Sequence, residues 1–283
     1  MKGYSEKNNR IKRPVSSGIH LKKELGQFIL KNRSIIERIA AAIPIGHLVV
    51  EIGPGDGALT EQLLNHGHHL IGVELDQEMV RKLEQRFNHR RDFRLISGNI
   101  LKVDWNKLAG KSDDIIIVGN LPYHLFSPIL FNVFETVRQN RVRISEMIVM
   151  LQHEVGRRLT AEPRNKDFGS LTLLTRYHGI PHYLFTVPAD CFHPKPRVDG
   201  AVVRIIFHQP DEMPDVDYET FRRVVRGCFA QRRKMMRNAM TVIEDLPEGW
   251  QNLGYDFKLR PEQLNFKEFV NLTKDLIKLQ QEM

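Results

Sequence analysis

The stretch EIGPGDGALT, residues 51–60, decides the fold. The apolar run 48–52 predicts a buried strand of a parallel sheet, and Leu63 and Leu64 predict the inner face of a following helix. The turn between them contains three glycines, Gly53, Gly55 and Gly57. Glycines allow a sharp turn and a close approach of the backbone to a ligand. The stretch therefore predicts a nucleotide-type cofactor loop in an α/β sheet.

An acidic residue follows the glycine loop at the spacing of a βαβ unit. The next predicted strand, 70–73, ends in Glu74, and its distance from Gly53 matches the spacing of about 20 residues that is typical of such units. A carboxylate there can accept hydrogen bonds from both ribose hydroxyls of a nucleotide. The spacing does not select the cofactor, because Gly53, Gly55 and Ala58 also satisfy the dinucleotide pattern.

Asn99 is predicted to lie beside the same cleft. Asp76 is expected to cap a helix, and the strand that follows, around 93–96, ends in SGNI, residues 97–100. Two interpretations of Asn99 remain open from the spacing: contact with a purine edge, or the shaping of a turn.

A second motif, VGNLPYHLFSP at residues 118–128, closes the buried run 115–118. Asn120 offers an amide that donates and accepts, Pro122 stiffens the turn, and Tyr123 adds an aromatic face. These groups suit a flat ring that carries an amine. Ser127 and Pro128 are predicted to be the N-cap and first residue of a helix.

Composition favours a basic globular protein of the reducing cytosol. The 283 residues carry a formal net charge of +8 and 41% hydrophobic residues, and the two cysteines lack CxxC spacing. A basic balance favours an anionic partner such as RNA. We expect no membrane segment or signal peptide, and no metal site, P-loop, HExxH helix or GxSxG serine.

The chain is predicted to divide into three parts. Residues 1–22 form a basic flexible arm, 23–208 form a Rossmann-like domain, and 209–283 form a helical domain that follows the linker-like stretch 208–217. The helical part contains seven arginines and lysines within 222–237, which favours a phosphate-contacting patch over a solvated face. The residues expected to bind RNA are Arg222, Arg223, Arg226, Arg232, Arg233 and Lys234.

The proline-rich segment PADCFHPKPRV, residues 188–198, is predicted to be a rigid loop. Phe192 could form a second wall against a base that faces Tyr123, with Lys195 and Arg197 near the phosphates. A buried structural phenylalanine is the alternative.

Six stretches together carry a family resemblance. LGQFIL, EIGPGDGALT, VELD, GNLPY, FHPKPRVDGAVVR and FAQRRKMMRN occur in the order and spacing of the KsgA/RsmA ribosomal RNA adenine dimethyltransferases, a family similar to the Erm methylases. The resemblance covers residues 21–283. It implies a class I S-adenosylmethionine-dependent methyltransferase sheet with a small C-terminal helical domain. It also implies small-subunit rRNA or a pre-30S particle as partner, and a cytoplasmic monomer.

The resemblance also implies roles for individual residues. Asn120 and the Leu121 carbonyl would hold the target amine, while Tyr123 and Phe192 would pack on the base. The implied cofactor-binding residues are Phe28, Leu30, Glu51, Gly53, Gly55, Glu74, Asn99 and Asn120. Two positions depart from the family, which usually has Asn or His at Phe28 and Asp at Asn99. We therefore expect weaker cofactor affinity than in a typical member.

Four functions are weighed against one another. The leading one is dimethylation of two adjacent adenosines in the 3'-terminal hairpin of small-subunit rRNA. The others are a ribosome-assembly factor with weakened activity, an Erm-like large-subunit rRNA methylase and a nicotinamide-dependent oxidoreductase. The last is disfavoured by GNLPY and the basic helical tail.

Overall fold

The computed structural model describes residues 28–110, 114–122, 124–139 and 142–282. Strands and helices alternate through its first two thirds, and helices dominate the rest. The strands are β1 (Ile29–Leu30), β2 (Leu48–Ile52), β3 (His69–Glu74), β4 (Phe93–Ser97), β5 (Ile115–Asn120), β6 (Ile144–Gln152), β7 (Gly179–Val187), β8 (Phe192–His193) and β9 (Gly200–Phe207). The helices are α1 (Arg33–Ala41), α2 (Ala58–Asn65), α3 (Gln77–Phe87), α4 (Trp105–Ala109), α5 (Phe126–Arg138), α6 (His153–Leu159), α7 (Ser170–His178), α8 (Tyr218–Ala230), α9 (Met236–Ala239) and α10 (Phe266–Gln281).

Seven strands form one sheet in the order β4-β3-β2-β5-β6-β9-β7. The first five run parallel, and β9 runs antiparallel to both β6 and β7. The strand order reverses between β2 and β5, and open α/β sheets bind their ligands at the carboxyl ends of strands at such a point. The fold thus places a ligand crevice where the glycine loop and Asn120 leave the sheet.

The sheet is buried on both faces. One apolar cluster contains α4 and α5, and the other contains α1, α2 and α3. Continuous β-branched runs such as Ile115–Val118 are fully buried, as a strand covered on both faces requires. The expected class I methyltransferase sheet is confirmed.

The C-terminal helices share their core with α7. Phe168, Leu173 and Tyr177 belong to the same apolar cluster as α8 and α10 residues such as Phe221 and Phe269. The stretch 208–217 lies between β9 and α8, but the apolar cluster contains residues from both sides of it. The helical part is therefore packed on the methyltransferase fold, not tethered beside it.

Local details differ from the sequence prediction at two places. Helix α5 begins at Phe126, with Leu125 as its cap, so the predicted N-cap Ser127 is wrong. The turn that bonds the Leu125 N–H to the Pro122 carbonyl has already started the helix, and Pro128 falls within the first turn, where its missing N–H costs nothing. The predicted loop 188–198 contains β8, which pairs with β1.

Candidate active site

A large cavity opens at the carboxyl ends of β2, β3, β4 and β5. It holds ≈ 1310 Å³, measured with its open mouth. Its wall includes every residue expected to bind cofactor: Phe28, Leu30, Glu51, Gly53, Gly55, Glu74, Asn99 and Asn120. The structure therefore brings together side chains from four strands and from the segment before α1.

The glycine loop is held in place by Glu74. Gly53 and Gly55 have φ angles of 67° and 59°, the left-handed region that glycine adopts without strain. The Glu74 carboxylate accepts the Gly55 N–H at 3.0 Å through one oxygen and the Asp76 N–H at 2.9 Å through the other. Each oxygen keeps a second lone pair, so Glu74 can fix the loop and still accept from a ligand.

Glu51 places a buried carboxyl group behind the glycine loop. Its side chain accepts a hydrogen bond from the Thr60 hydroxyl at 2.6 Å. Burial, assisted by the nearby Glu74 and Asp56 carboxylates, raises the pKa of Glu51 to about 8 against the lowering effect of the Thr60 bond. Glu51 is therefore largely neutral at pH 7 while no cation lies beside it.

Asn99 shapes a turn, as one of its two interpretations predicts, and its place in the cavity wall keeps contact with a purine edge a prediction. It lines the cavity, and its Oδ1 accepts the Leu101 N–H at 2.9 Å as the cap of a short 3-10 helix, Ile100–Lys102. The capping bond fixes the side chain but leaves its amide NH₂ group and one lone pair of Oδ1 available.

Asn120 ends β5 with its amide orientation defined. Its Nδ2 donates to the Phe28 carbonyl at 2.6 Å, so the amide nitrogen points to β1 and the Oδ1 is the group left for a ligand. Leu121 follows with its side chain buried and its N–H donating to the Met150 carbonyl at 3.1 Å. Asn120 thus presents a fixed acceptor at the cavity.

The two aromatic residues expected to sandwich a base fare differently. Tyr123 lies outside the described residues. Phe192 is not part of the cavity wall: its side chain is 6% exposed and packs in the apolar cluster with Leu30 and Val187. In the described structure Phe192 is thus the buried phenylalanine that the sequence left as the alternative, and its stacking on a base stays a prediction.

The basic patch separates into paired and unpaired residues. Arg222 binds Glu219, Arg223 lies 3.7 Å from Asp245, and Arg226 lies 5.8 Å from the ring centre of Phe131. The number of basic residues in the sequence does not reveal these contacts, because the partner groups lie on other turns and elements.

The same division holds in the loop after α8. Arg232 binds Glu262 at 2.7 Å and donates to the Asn165 carbonyl at 3.3 Å, which ties the loop after α8 to the loop before α7. Arg233 and Lys234 are exposed, and no ion pair joins either to another part of the chain that the structure describes. Together with Arg226, they are the exposed members of the predicted set for which the described chain shows no ion pair.

Sequence reasoning missed Lys31 and Asp56. Lys31 Nζ lies 2.9 Å from Asp56 Oδ2, a contact that joins the segment before α1 to the glycine loop. Asp56 lies in the glycine motif, but nothing in the motif indicates that its partner is a lysine that precedes α1 and β2 in the sequence.

The cavity suits a cationic nucleoside cofactor. Three carboxyl groups, those of Glu51, Asp56 and Glu74, lie in its wall together with apolar side chains such as Leu75 and Ile100. S-adenosylmethionine brings a sulfonium and an ammonium group, an adenine ring and a ribose, and this donor set fits it. Within 28–110, 114–122, 124–139 and 142–282, no cluster of three or more His, Cys, Asp or Glu could hold a metal, and no helix is long and apolar enough to cross a membrane.

Known proteins resemble this chain in sequence and in fold. The family model described as ribosomal RNA adenine dimethylase matches residues 18–251. A protein of Pseudomonas putida named Ribosomal RNA small subunit methyltransferase A is 40% identical over 262 residues, which is 92% of this chain and 96% of that one. The protein of the same name from Pseudomonas aeruginosa is 38% identical over 260 residues, covering 91% and 95%.

Solved structures support the fold alone. A dimethyladenosine transferase from Plasmodium falciparum matches with a TM-score of 0.73 and 22% identity, covering 89% of this chain and 98% of that one. The 23S rRNA methyltransferase ErmE matches with a TM-score of 0.66 and 20% identity, covering 88% and 99%. With the family match over most of the sequence, the chain belongs to the ribosomal RNA adenine dimethylase family and is an S-adenosylmethionine-dependent methyltransferase.

Proposed function

We propose that this enzyme transfers methyl groups from S-adenosylmethionine to N6 of two adjacent adenosines in the 3'-terminal hairpin of small-subunit rRNA. Its relatives in two Pseudomonas species carry the name of a small-subunit rRNA methyltransferase. The observation that carries the proposal is the fixed amide of Asn120, whose Nδ2 is bonded to the Phe28 carbonyl and whose Oδ1 is left for an amine.

The chemistry needs no acid or base with a tuned pKa. The cofactor supplies an activated methyl group, and the obstacle is the delocalisation of the N6 lone pair into the adenine ring. If Asn120 Oδ1 and the Leu121 carbonyl accept the two N6 hydrogens, the nitrogen becomes pyramidal and its lone pair turns out of conjugation. The protein would then accelerate transfer by orientation and by electrostatic stabilisation of the nitrogen as it becomes positive. Each transfer would release one N6 proton to solvent, so the second transfer would begin with a single N6 hydrogen for these two acceptors.

Cofactor binding is assigned to the cavity wall. Glu74 would accept from the ribose and Asn99 would contact the adenine edge, while the Phe28 side chain offers only apolar contact. The weaker affinity expected from Phe28 and Asn99 stays a prediction. Tyr123 and Phe192 remain our proposed packing partners for the target base, and Phe192 also belongs to β8, which pairs with β1.

We assign RNA contact chiefly to Arg226, Arg233 and Lys234. All three are exposed and carry no described ion pair, so their charges are open to backbone phosphates. We propose 209–283 as the rRNA-binding part and the basic residues 1–22 as an additional phosphate contact. A cytoplasmic monomer that acts on rRNA or a pre-30S particle completes the proposal.

The test compares Asn120→Ala with Asn106→Ala, an exposed asparagine on α4. Methyl incorporation from labelled S-adenosylmethionine is measured on small subunits that lack the modification. We expect Asn120→Ala to slow transfer by about 10²- to 10³-fold, as for loss of one oriented polar group, and Asn106→Ala to change it little.

Three outcomes would contradict the proposal. Near-normal transfer by Asn120→Ala would remove its mechanism. Methylation of large subunits in place of small ones would favour the Erm-like alternative. Binding of the small subunit without any methylation by the wild-type enzyme would favour an assembly factor.

A further inference from the structure

Residues 28–31, here called the N-terminal strap, lie along one wall of the cofactor cavity. Phe28, Ile29 and Leu30 line it together with residues of the glycine loop. The strap is held as β1, which pairs with β8 through Ile29 and His193 and through Leu30 and Phe192. With only two residues in each strand, this pairing leaves the strap in need of further attachment.

Lys31 provides an attachment at one end of the strap. Its N–H donates to the Cys191 carbonyl at 2.8 Å, and its Nζ binds Asp56 Oδ2 at 2.9 Å. Asp56 is itself fixed, because its Oδ1 accepts the Ala58 N–H at 3.3 Å and its carbonyl accepts from Arg86 at 2.8 Å. The salt bridge therefore joins the strap to a loop that is already rigid.

The other end of the strap contacts Asn120. The Phe28 carbonyl accepts the Asn120 Nδ2 at 2.6 Å, and it is a main-chain group whose position is set by the strap as a whole. An amide that loses this partner can flip, exchanging the places of its oxygen and nitrogen, and present its NH₂ group to the cavity. Two donors, the Asn120 NH₂ and the target amine, would then face each other.

We propose that Lys31 is a positioning residue for methyl transfer: its salt bridge with Asp56 holds the strap so that the Phe28 carbonyl keeps Asn120 Oδ1 turned toward the target amine. Lys31 is not part of the cavity wall and acts through Asn120. This inference rests on the role proposed above for Asn120.

The first test is kinetic. Single-turnover methylation of unmodified small subunits at saturating cofactor is compared for Lys31→Met, Lys31→Arg and Lys82→Met. Lys82 also forms a partly exposed ion pair, with Glu78 on α3, and serves as the matched control. Because Lys31 is half-exposed, we expect Lys31→Met to slow transfer by about threefold to fivefold with unchanged RNA affinity, and both other variants to stay within about twofold of wild type.

A double-mutant cycle separates positioning from general stability. In the Asn120→Ala background, Lys31→Met should cause no further loss, since the amide it positions is gone. An equal loss in both backgrounds, or an equal loss with Lys82→Met, would overturn the inference.

A second readout does not use activity. In the cofactor-free protein, the Asn120 side-chain NH₂ signal, assigned by its absence in Asn120→Ala, should exchange faster with solvent in Lys31→Met than in wild type or Lys82→Met. Unchanged exchange would overturn the inference. If the wild type methylates small subunits and Lys31→Met matches it, only this inference fails; if the wild type methylates nothing, the proposed function fails.

Discussion

Polar side chains form different kinds of hydrogen bonds at the cofactor edge of the sheet and at the junction between α7 and α8. At the edge, Glu74 and Asn120 each bond to backbone groups and still have donor or acceptor positions that face the cavity. At the junction, the Tyr177 hydroxyl donates to the Val216 carbonyl at 2.7 Å, and Arg232 is committed to Glu262 and Asn165. At the edge the remaining capacity faces a cavity, whereas at the junction these bonds join one element of the fold to another.

His178 offers the strongest test on the junction side. It is fully buried and stacked on Phe134 with ring centres 4.2 Å apart; its Nδ1 contacts the Leu174 carbonyl, and its Nε2 has no hydrogen-bond partner in the described chain. Burial, with smaller contributions from Arg138 and His208, lowers the pKa of His178 to about 4 against the raising effects of the Leu174 bond and Glu135.

The unfolded chain therefore takes up a proton at higher pH than the folded one. Stability from neutral His178 is complete above pH 6.5 and declines as pH falls toward 4, by roughly 3 kcal/mol in total. The free energy of unfolding measured by urea titration between pH 7 and 4 checks this. His178→Phe should flatten the profile, whereas His182→Phe, at an exposed position, should not; a wild-type profile without this decline would contradict the assignment.

Gly119→Ala tests the rigidity of the cofactor edge. A Cβ at Gly119 would lie 2.6 Å from the Ile52 carbonyl oxygen, a backbone atom that cannot step aside. We expect the variant to lose about 2 kcal/mol of stability and most of its cofactor affinity, by thermal unfolding and calorimetry. Gly98→Ala, where a Cβ meets nothing within 4 Å, should be close to wild type in stability. Equal stability for the two variants would mean that the edge can adapt.

The neighbours Arg232 and Arg233 test the distinction within one motif. Arg232→Ala should cost about 1 kcal/mol of stability, because it breaks the bridge to Glu262 and Asn165. Arg233→Ala should leave stability within about 0.5 kcal/mol of wild type and reduce the salt dependence of RNA binding by about one unit of slope. If Arg233→Ala lowered the stability and Arg232→Ala changed only the salt dependence of RNA binding, the distinction between the two residues would be wrong.

Much of the cofactor edge could be predicted from sequence because its signals are local. The strand 48–52 and the Asp76 cap both appear where the residues indicated. The short strands β1 and β8 could not be predicted, since they have no periodicity and lie in distant parts of the sequence, with six strands of the main sheet between them. The pairing of Arg232 on the loop after α8 with Glu262 before α10 was equally out of reach.

Glu51 has a consequence for how the enzyme distinguishes its donor from its product. A carboxyl group that is neutral in the empty cavity gains by ionising when a positive charge arrives, so uptake of the sulfonium donor should expel a proton. Donor affinity should then rise between pH 6 and 8, while the uncharged thioether product gains less. Calorimetry in buffers of different ionisation heat measures the proton directly, and Glu51→Gln should abolish it. The enzyme would thereby bind the sulfonium donor more tightly than the thioether product through ionisation of Glu51, without any difference in the shape of the cavity.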